Sequence, residues 1–365
     1  MDKTKVAVIG GFLGSGKTTL ILNLAKSLIK DGLSVGIVTN DQGSDLIDAK
    51  FLSSNGLDVT SVKGKCFCCF FDDLASKLSE FRNRKAADIL LLEPVGSAIN
   101  LVSTIFKPFV NNRSVMLDSF NEGFILSPLV VLADPKRVRH LMMSEQKPEY
   151  TTPVSYLFSK QLEEADLILI NKKDTINEQE QADLKVFLES KYPNTEIKTI
   201  SALDNDFVND IKNFVLTGSF VINKSIEVDY VKYTEVEASL SWLNSNAFVK
   251  FEEVKDINKL MDKFMNLVRD ELIESKSSIA HMKCYAVADE DFYKASITSN
   301  TDSISVNNQM RLEHDSFNII INARIISSPI TLKSIFESNL KQIFNPKSIN
   351  TESFSPKYPK PNYCE

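Results

Sequence analysis

Gly11-Phe12-Leu13-Gly14-Ser15-Gly16-Lys17-Thr18 follows the apolar run Val6-Ala7-Val8-Ile9 and precedes Leu20, Leu22, Leu24, Ala25, Leu28 and Ile29 at helical spacing. A glycine loop between a strand and a helix is the context a phosphate-binding loop requires. Glycines let the backbone wrap a phosphate without an intervening Cβ. The free amides and the dipole at the helix start attract the anion. Gly11, Gly14, Ser15, Gly16 and Lys17 are therefore expected to hold phosphates, with Lys17 reaching the outer ones and the Thr18 hydroxyl placed on magnesium. The stretch predicts a nucleoside triphosphate site.

Outward from that loop, apolar runs alternate with helical patterns through the first part of the chain. The predicted strands are 6–9, 35–38, 59–62, 89–92, 129–132, 167–170 and 197–200. Continuous apolar runs of this kind suit strands covered on both faces. The expected fold is α/β, a doubly wound and mostly parallel sheet of the P-loop NTPase type over residues 1–222. Beyond it the period changes to two. Val236, Ala238, Leu240 and Trp242 alternate with polar residues, as do Phe317, Ile319, Ile321, Ala323 and Ile325. Leu260, Met261, Phe264, Leu267, Val268 and Leu272 recur at helical spacing between them, and a last helix is expected over 331–344. Residues 225–345 thus read as a smaller α+β domain with an antiparallel sheet. Residues 346–365, with Pro346, Pro356, Pro359 and Pro361, read as a flexible tail.

The 365 residues carry a net charge of −6, are 43% hydrophobic and 25% charged, and show no basic block. That balance argues against a nucleic-acid partner. No apolar run approaches the ~20 residues of a membrane helix. The first strand begins by Lys5, which leaves no room for a signal peptide. Five cysteines, three of them within four residues, do not make a disulfide framework and suggest a reducing, cytoplasmic setting.

Asn171-Lys172-Lys173-Asp174 follows the apolar run 167–170. A carboxylate at Asp174 can accept from guanine N1–H and the 2-amino group. Adenine lacks the amino group and turns a lone pair toward the carboxylate, so such a site discriminates strongly. Ser201-Ala202-Leu203 follows the next strand, where a short loop could back the base. Glu93-Pro94-Val95-Gly96 follows 89–92; an acid at the end of a strand beside the phosphate loop holds magnesium, often through water. Gly96 can offer its amide to the γ-phosphate. Asn40-Asp41-Gln42-Gly43 is the other loop expected to face the phosphates, with Asp41 a candidate for magnesium or its water shell and a plain turn as the competing reading. Gln42 is the available candidate for orienting the attacking water.

Cys66-Phe67-Cys68-Cys69 is the second chemical feature. Three thiols converge on one ion only if the chain turns, because in an extended strand Cys69 points away from the other two. Lys63 and Lys65 favour thiolates, and thiolates suit zinc, copper(I) or cobalt(II). Three ligands leave one tetrahedral position open, so the ion can be passed on. A redox dithiol and three buried small side chains are the alternatives. His140, His281 and His314 are widely separated, and His281, near Cys284, reads as a core histidine.

In this order, Gly10 to Leu20 (with Thr19 inside it), Cys-x-Cys-Cys, Glu93-x-x-Gly96 and Asn171-Lys172-x-Asp174 resemble the CobW-like GTPases, relatives of the nickel and cobalamin chaperone GTPases. The resemblance implies a metal-chaperone or metalloenzyme-maturation GTPase using GTP/GDP and Mg2+, in which nucleotide organises the cysteine site and hydrolysis releases metal to a client. Three features depart from that pattern. Lys65 separates Gly64 from the first cysteine, the loop usually written Asn-Glu-Phe-Gly-Glu is Asn40-Asp41-Gln42-Gly43-Ser44, and there is no His-rich stretch. They suggest a divergent branch serving cobalt or corrinoid enzymes.

The sequence therefore predicts a slow GTPase that delivers zinc or cobalt to a client metalloprotein or corrinoid enzyme, with no nucleic acid and no membrane involved. Lys17, Thr18 and Glu93 carry the phosphate chemistry. Thr18, Asp41 and Glu93 manage magnesium, and Cys66, Cys68 and Cys69 take the transition metal. The oligomeric state is open, a homodimer included. The alternatives are a nucleotide-gated holdase without metal transfer and a P-loop small-molecule kinase.

Overall fold

The computed structural model describes residues 3–41, 47–63, 67, 71–85, 87–111, 120–143, 151–221 and 226–356. The chain packs as two units, the first built on residues up to Tyr233 and the second beginning at Thr234.

The first unit is a parallel sheet with helices in the crossovers. Its strands are β1 (Thr4–Gly11), β2 (Val35–Asp41), β3 (Val59–Lys63), β4 (Ile89–Glu93), β5 (Phe124–Leu126), β6 (Val130–Ala133), β7 (Leu167–Ile170) and β8 (Glu196–Thr199). They lie in the order β3-β2-β4-β1-β6-β7-β8, with β5 pairing the start of β1. Every one of these pairings is parallel. The helices are α1 (Lys17–Lys30), α2 (Ile47–Ser54), α3 (Phe71–Lys85), α4 (Lys107–Val110), α5 (Pro135–Val138), α6 (Thr151–Glu163), α7 (Glu178–Lys191) and α8 (Asn205–Thr217); α9 (Tyr230–Ser239) begins in this unit and ends in the second. Strands β4, β6 and β7 are buried at every residue, which is why they read as unbroken apolar runs. The chain leaves β1 toward β2 on one side and reaches β6 on the other. In open α/β sheets the crevice at such a switch point, outside the carboxyl ends of the strands, is where ligands bind.

The second unit is a six-stranded antiparallel sheet in the order β12-β11-β10-β13-β9-β14. Its strands are β9 (Leu240–Lys255), β10 (Ser278–Ala288), β11 (Asp291–Ile297), β12 (Ser305–Asn308), β13 (His314–Ile326) and β14 (Ser348–Phe354), joined by α10 (Ile257–Glu274) and α11 (Pro329–Phe344). Met261, Phe264, Val268, Phe336, Leu340 and Phe344 of the helices share one core with Phe317, Ile319, Ile321 and Ala323 of β13. Both helices open on side-chain caps: Asp256 accepts the Lys259 amide and Ser328 the Thr331 amide.

The structure departs from the sequence reading at two places in this region. Residues 235–239, where the alternation reads as the start of a strand, instead close α9 (Tyr230–Ser239). Asp229 caps it by accepting the amides of Val231 and Lys232, each at 3.0 Å, and the buried Tyr233 and Val236 are spaced for one helix face. The strand begins only at Leu240. Residues 348–354, expected in the flexible tail, form β14 on the edge of β9, with the Ser245 and Thr351 hydroxyls 2.8 Å apart. Pro346 precedes this strand and the other prolines follow it, so every residue of β14 can use its amide.

Candidate functional site

The glycine loop sits at the carboxyl end of β1. Gly11, Gly14 and Gly16 hold φ values of 132°, 78° and 97°, a region L side chains rarely enter. A Cβ on Gly16 would stand 2.2 Å from Asn171 Nδ2, so a glycine is needed there for space as well. Lys17 is buried, and its ammonium donates to the carbonyls of Gly11 at 2.8 Å and Phe12 at 3.2 Å. It is thus held over the mouth of its own loop. The Ser15 hydroxyl is buried and makes no hydrogen bond among the described residues. A polar atom left in this way suits an anion ligand. The loop fits a phosphate chain.

The Thr18 hydroxyl donates to Glu93 Oε1 at 2.8 Å, and both side chains are buried. α1 supplies the first and the end of β4 the second, so the two expected magnesium residues are brought together. A hydroxyl and a carboxylate are hard oxygen donors, the set magnesium prefers. Gly96 lies against the phosphate loop; a Cβ there would be 2.7 Å from Leu13 Cδ2 and 3.0 Å from the Leu13 amide nitrogen. Asp41 ends β2, but its side chain and residues 42–46, Gln42 included, lie outside the described residues.

At the end of β7, Asn171 connects three loops. Its Nδ2 donates to the Ser15 carbonyl at 2.8 Å, and its Oδ1 accepts the Ala202 amide at 2.8 Å. The phosphate loop, the Asn-Lys-x-Asp segment and the Ser201–Ala202 loop are fixed to one buried amide side chain. Lys172 adopts a left-handed backbone at φ 61°, and Asp174 stands exposed in the short turn that follows. Asn23 of α1 donates to the Ala202 carbonyl at 2.7 Å and holds the same loop from below.

Two residues of this neighbourhood escaped the sequence reading. Asp134, at the end of β6, caps α5 by accepting the amides of Lys136 and Arg137 and pairs with the Lys172 ammonium at 2.7 Å. Asp-Pro directly after an apolar strand was the available signal, since it combines an N-cap with a proline at the first helical position. Arg137 stacks its guanidinium over Phe12, 4.9 Å from the ring centroid. Gln161 of α6 donates to the carbonyls of Gly96 and Ala98. A glutamine in an amphipathic helix carries no readable mark of such a role.

Cys66, Cys68 and Cys69 lie outside the described residues. Phe67 between them is buried, and its amide donates to Asn40 Oδ1 at 3.1 Å, while Asn40 Nδ2 donates to the Val62 carbonyl at 3.2 Å. The end of β2 is thus tied to the cysteine loop through one side chain. Among the described residues no cluster of three or more His, Cys, Asp or Glu could hold a metal ion. Cys284 is buried in β10, and burial pushes its thiol far above the usual range, away from thiolate chemistry. His281 is buried in the same strand, and His314 pairs with Asp291 at 3.0 Å. No helix among the described residues is long and apolar enough to cross a membrane.

Residues 5–198 match the family described as CobW/HypB/UreG, nucleotide-binding domain. The chain is 30% identical over 192 residues to a zinc chaperone CobW of Sinorhizobium sp, covering 48% of this chain and 52% of that protein. It is 24% identical over 250 residues to zinc-regulated GTPase metalloprotein activator 1 of Dictyostelium discoideum, covering 62% of this chain and 51% of that one. The chain matches about half the length of these curated relatives. Among solved structures, zinc(II)-bound YjiA GTPase from E. coli overlaps 93% of this chain and 99% of its own at a TM-score of 0.40 and 16% identity. Nickel-bound HypB from Helicobacter pylori overlaps 58% and 86% at 0.38 and 21%. The family pattern takes in more than half of the chain and runs from the first strand through β7 into β8, and the chain therefore belongs to the CobW/HypB/UreG nucleotide-binding family.

Proposed function

We propose that this chain is a GTP-binding and slowly GTP-hydrolysing metallochaperone whose cargo is a transition metal, zinc before cobalt(II), delivered to a client metalloprotein. The observation that carries the reading is the Asn171 bridge between the Ser15 carbonyl and the Ala202 amide. It ties the Asn171–Asp174 segment to the loop of residues 11–18, which supports reading the two as one nucleotide site. The relatives named zinc chaperones support zinc as the cargo.

In this reading the amides of Gly14, Ser15 and Gly16, with Lys17, hold the phosphates, and Thr18 and Glu93 hold magnesium. Held there by Thr18 and Glu93, a magnesium ion would supply charge neutralisation for the phosphates. Thr19 lies in the first turn of α1, beside the phosphates. Gly96 presents its amide to the terminal phosphate. Asp174 reads the guanine edge, Lys172 lies along the base with its ammonium held by Asp134, and Ser201 and Ala202 back the ring. Cys66, Cys68 and Cys69 carry the cargo ion as thiolates. A low intrinsic rate follows from the lack of an assigned base for the attacking water.

The test is nucleotide choice. The unaltered protein binds GTP in preference to ATP. Asp174→Asn loses GTP affinity by on the order of 100-fold, because a buried donor pair on the base goes unmet. It gains affinity for xanthosine triphosphate, which presents an oxygen at position 2. Equal affinity of the unaltered protein for ATP and GTP in a competition titration would sink the assignment.

A further inference from the structure

Phe158 and Gln161 of α6, and Glu164 directly after it, recur at three-residue spacing and share one side of the helix. Each holds a different piece of the site. Phe158 packs edge-on against Phe12 of the phosphate loop, with ring centroids 6.1 Å apart and planes at 89°. Gln161 Nε2 donates to the carbonyls of Gly96 at 2.9 Å and Ala98 at 2.8 Å. The Val102 amide donates to Glu164 Oε2 at 3.1 Å.

The segment between Gly96 and Val102 has little regular structure of its own. Asn100 is left-handed at φ 60°, and residues 102–106 wind as a π-helix, a form with poor intrinsic stability. Its path is set by the side chains of α6. Gln161 is only 2% exposed, so its two bonds are made in a dry setting where they hold firmly. The side-chain amide has two N–H donors, one for each carbonyl, and carries no charge beside the phosphates. Gly96 has no side chain of its own to fix this turn, which is closed by the Ala98 amide donating to the Val95 carbonyl at 2.9 Å.

We propose that Gln161 is a positioning residue for recognition of the terminal phosphate: by fixing the carbonyls of Gly96 and Ala98 it aims the Gly96 amide, and so lets the site tell GTP from GDP. This rests on the guanine-nucleotide reading above. Gln161 touches no nucleotide in this account and acts through Gly96 alone.

The experiment compares GDP with a non-hydrolysed GTP analogue on the full chain. Gln161→Met keeps the length of the side chain and removes both donors. Its affinity for GDP stays within about twofold, its affinity for the analogue falls about tenfold, and kcat for GTP hydrolysis falls by a similar factor. A structural role would weaken both nucleotides alike. Gln161→Glu supplies a second readout, since a carboxyl can donate one bond only while protonated. Its analogue affinity recovers from pH 8 to pH 6 relative to the unaltered protein, in which Glu164 on the same helix side is present as well. Equal losses for GDP and analogue in Gln161→Met, or a pH-independent deficit in Gln161→Glu, overturn the proposal while leaving the nucleotide assignment standing. Failure of the unaltered protein to bind guanine nucleotide overturns both.

Discussion

The two sheets use polar residues in opposite ways. In the parallel sheet the central strands β1, β4, β6 and β7 are mostly apolar, and polar groups wait at their carboxyl ends: Lys17 and Thr18 after β1, Glu93 at the end of β4, Asp134 after β6 and Asn171 after β7. Parallel strands all end on one side, so residues far apart in sequence gather at one edge of the sheet. In the antiparallel sheet the polar groups lie inside the strands. Asn322 donates to Asn244 at 2.9 Å across β13 and β9, Ser245 meets Thr351 at 2.8 Å across β9 and β14, and Arg324 stacks 3.4 Å over Trp242. Each pair sits at directly opposed register positions. Such pairs specify which residue faces which, because a slip by one would leave buried polar groups unmet. The central strands of one sheet gather polar residues at their carboxyl ends, and the other sheet sets them against one another inside its strands.

The largest expected effect tests that division. Thr18→Ala removes the hydroxyl that meets Glu93 and leaves magnesium without its main side-chain partner. Phosphate release falls by on the order of 100- to 1000-fold, the scale seen when one preorganised electrostatic group is lost. Tyr293→Phe in the second unit removes the phenol that donates to Asp262 and costs about 1 kcal/mol of stability, with kcat unchanged within twofold. A fall in kcat for Tyr293→Phe comparable to that of Thr18→Ala, at a temperature where both variants are folded, would break the comparison.

The same contrast explains what the sequence made legible. The parallel sheet was readable because each buried strand is an apolar run that stops at a motif with its own chemistry. Gly11–Thr18, Glu93 with Gly96, and Asn171–Asp174 lie where that reading put them, and the CobW-like resemblance drawn from them agrees with the family match over residues 5–198. β5 was missed because three residues carry no periodicity. The antiparallel region was legible only where alternation ran long, as in β13. Over 235–239 the alternation falls in a helix, and the cap at Asp229 and the spacing of Tyr233 and Val236 outweighed it. β14 was hidden by the prolines around it. The cap at Asp134 was legible in Asp134-Pro135 after an apolar run, but its pairing with Lys172 and the role of Gln161 were not, because these depend on which loop folds beside them and not on any spacing along the chain.

A smaller effect joins the nucleotide loops to the cysteines. Asn40 Oδ1, near the end of β2, accepts the amide of Phe67, the residue between Cys66 and Cys68 in the sequence. Mg–GTP is expected to raise affinity for zinc or cobalt(II) by roughly 5- to 150-fold, and by linkage the metal raises GTP affinity by the same factor. Asn40→Ala brings that factor toward one and leaves metal-free GTP binding within about threefold, since one buried hydrogen bond is worth about 1 kcal/mol. Replacing the three cysteines by serine removes the metal site altogether. A cobalt(II) titration, read at the thiolate charge-transfer band with GDP and with the GTP analogue, checks both. Identical cobalt affinity in the two nucleotide states of the unaltered protein would leave a constitutive site and no gating.

The smallest effect concerns a buried carboxyl, that of Glu164, which accepts the Val102 amide. Glu164 is buried, and desolvation pushes its carboxyl up to about 8 from an ordinary value of 4.5, with Glu163 adding repulsion and the amides of residues 100–102 opposing the shift. The folded chain therefore keeps this proton over a range where the unfolded chain has released it. Stability tied to Glu164 is fully present below about pH 4.5 and is lost as pH rises toward 8, because the unfolded state binds fewer protons throughout that window. The slope from one proton cannot exceed about 1.4 kcal/mol per pH unit. Glu164→Gln keeps an acceptor for the Val102 amide and cannot ionise, so its urea midpoint should decline less than that of the unaltered protein between pH 5 and pH 8. Parallel profiles across that range would mean that the carboxyl is already ionised in the fold, and that the amides of residues 100–102 outweigh burial in holding it.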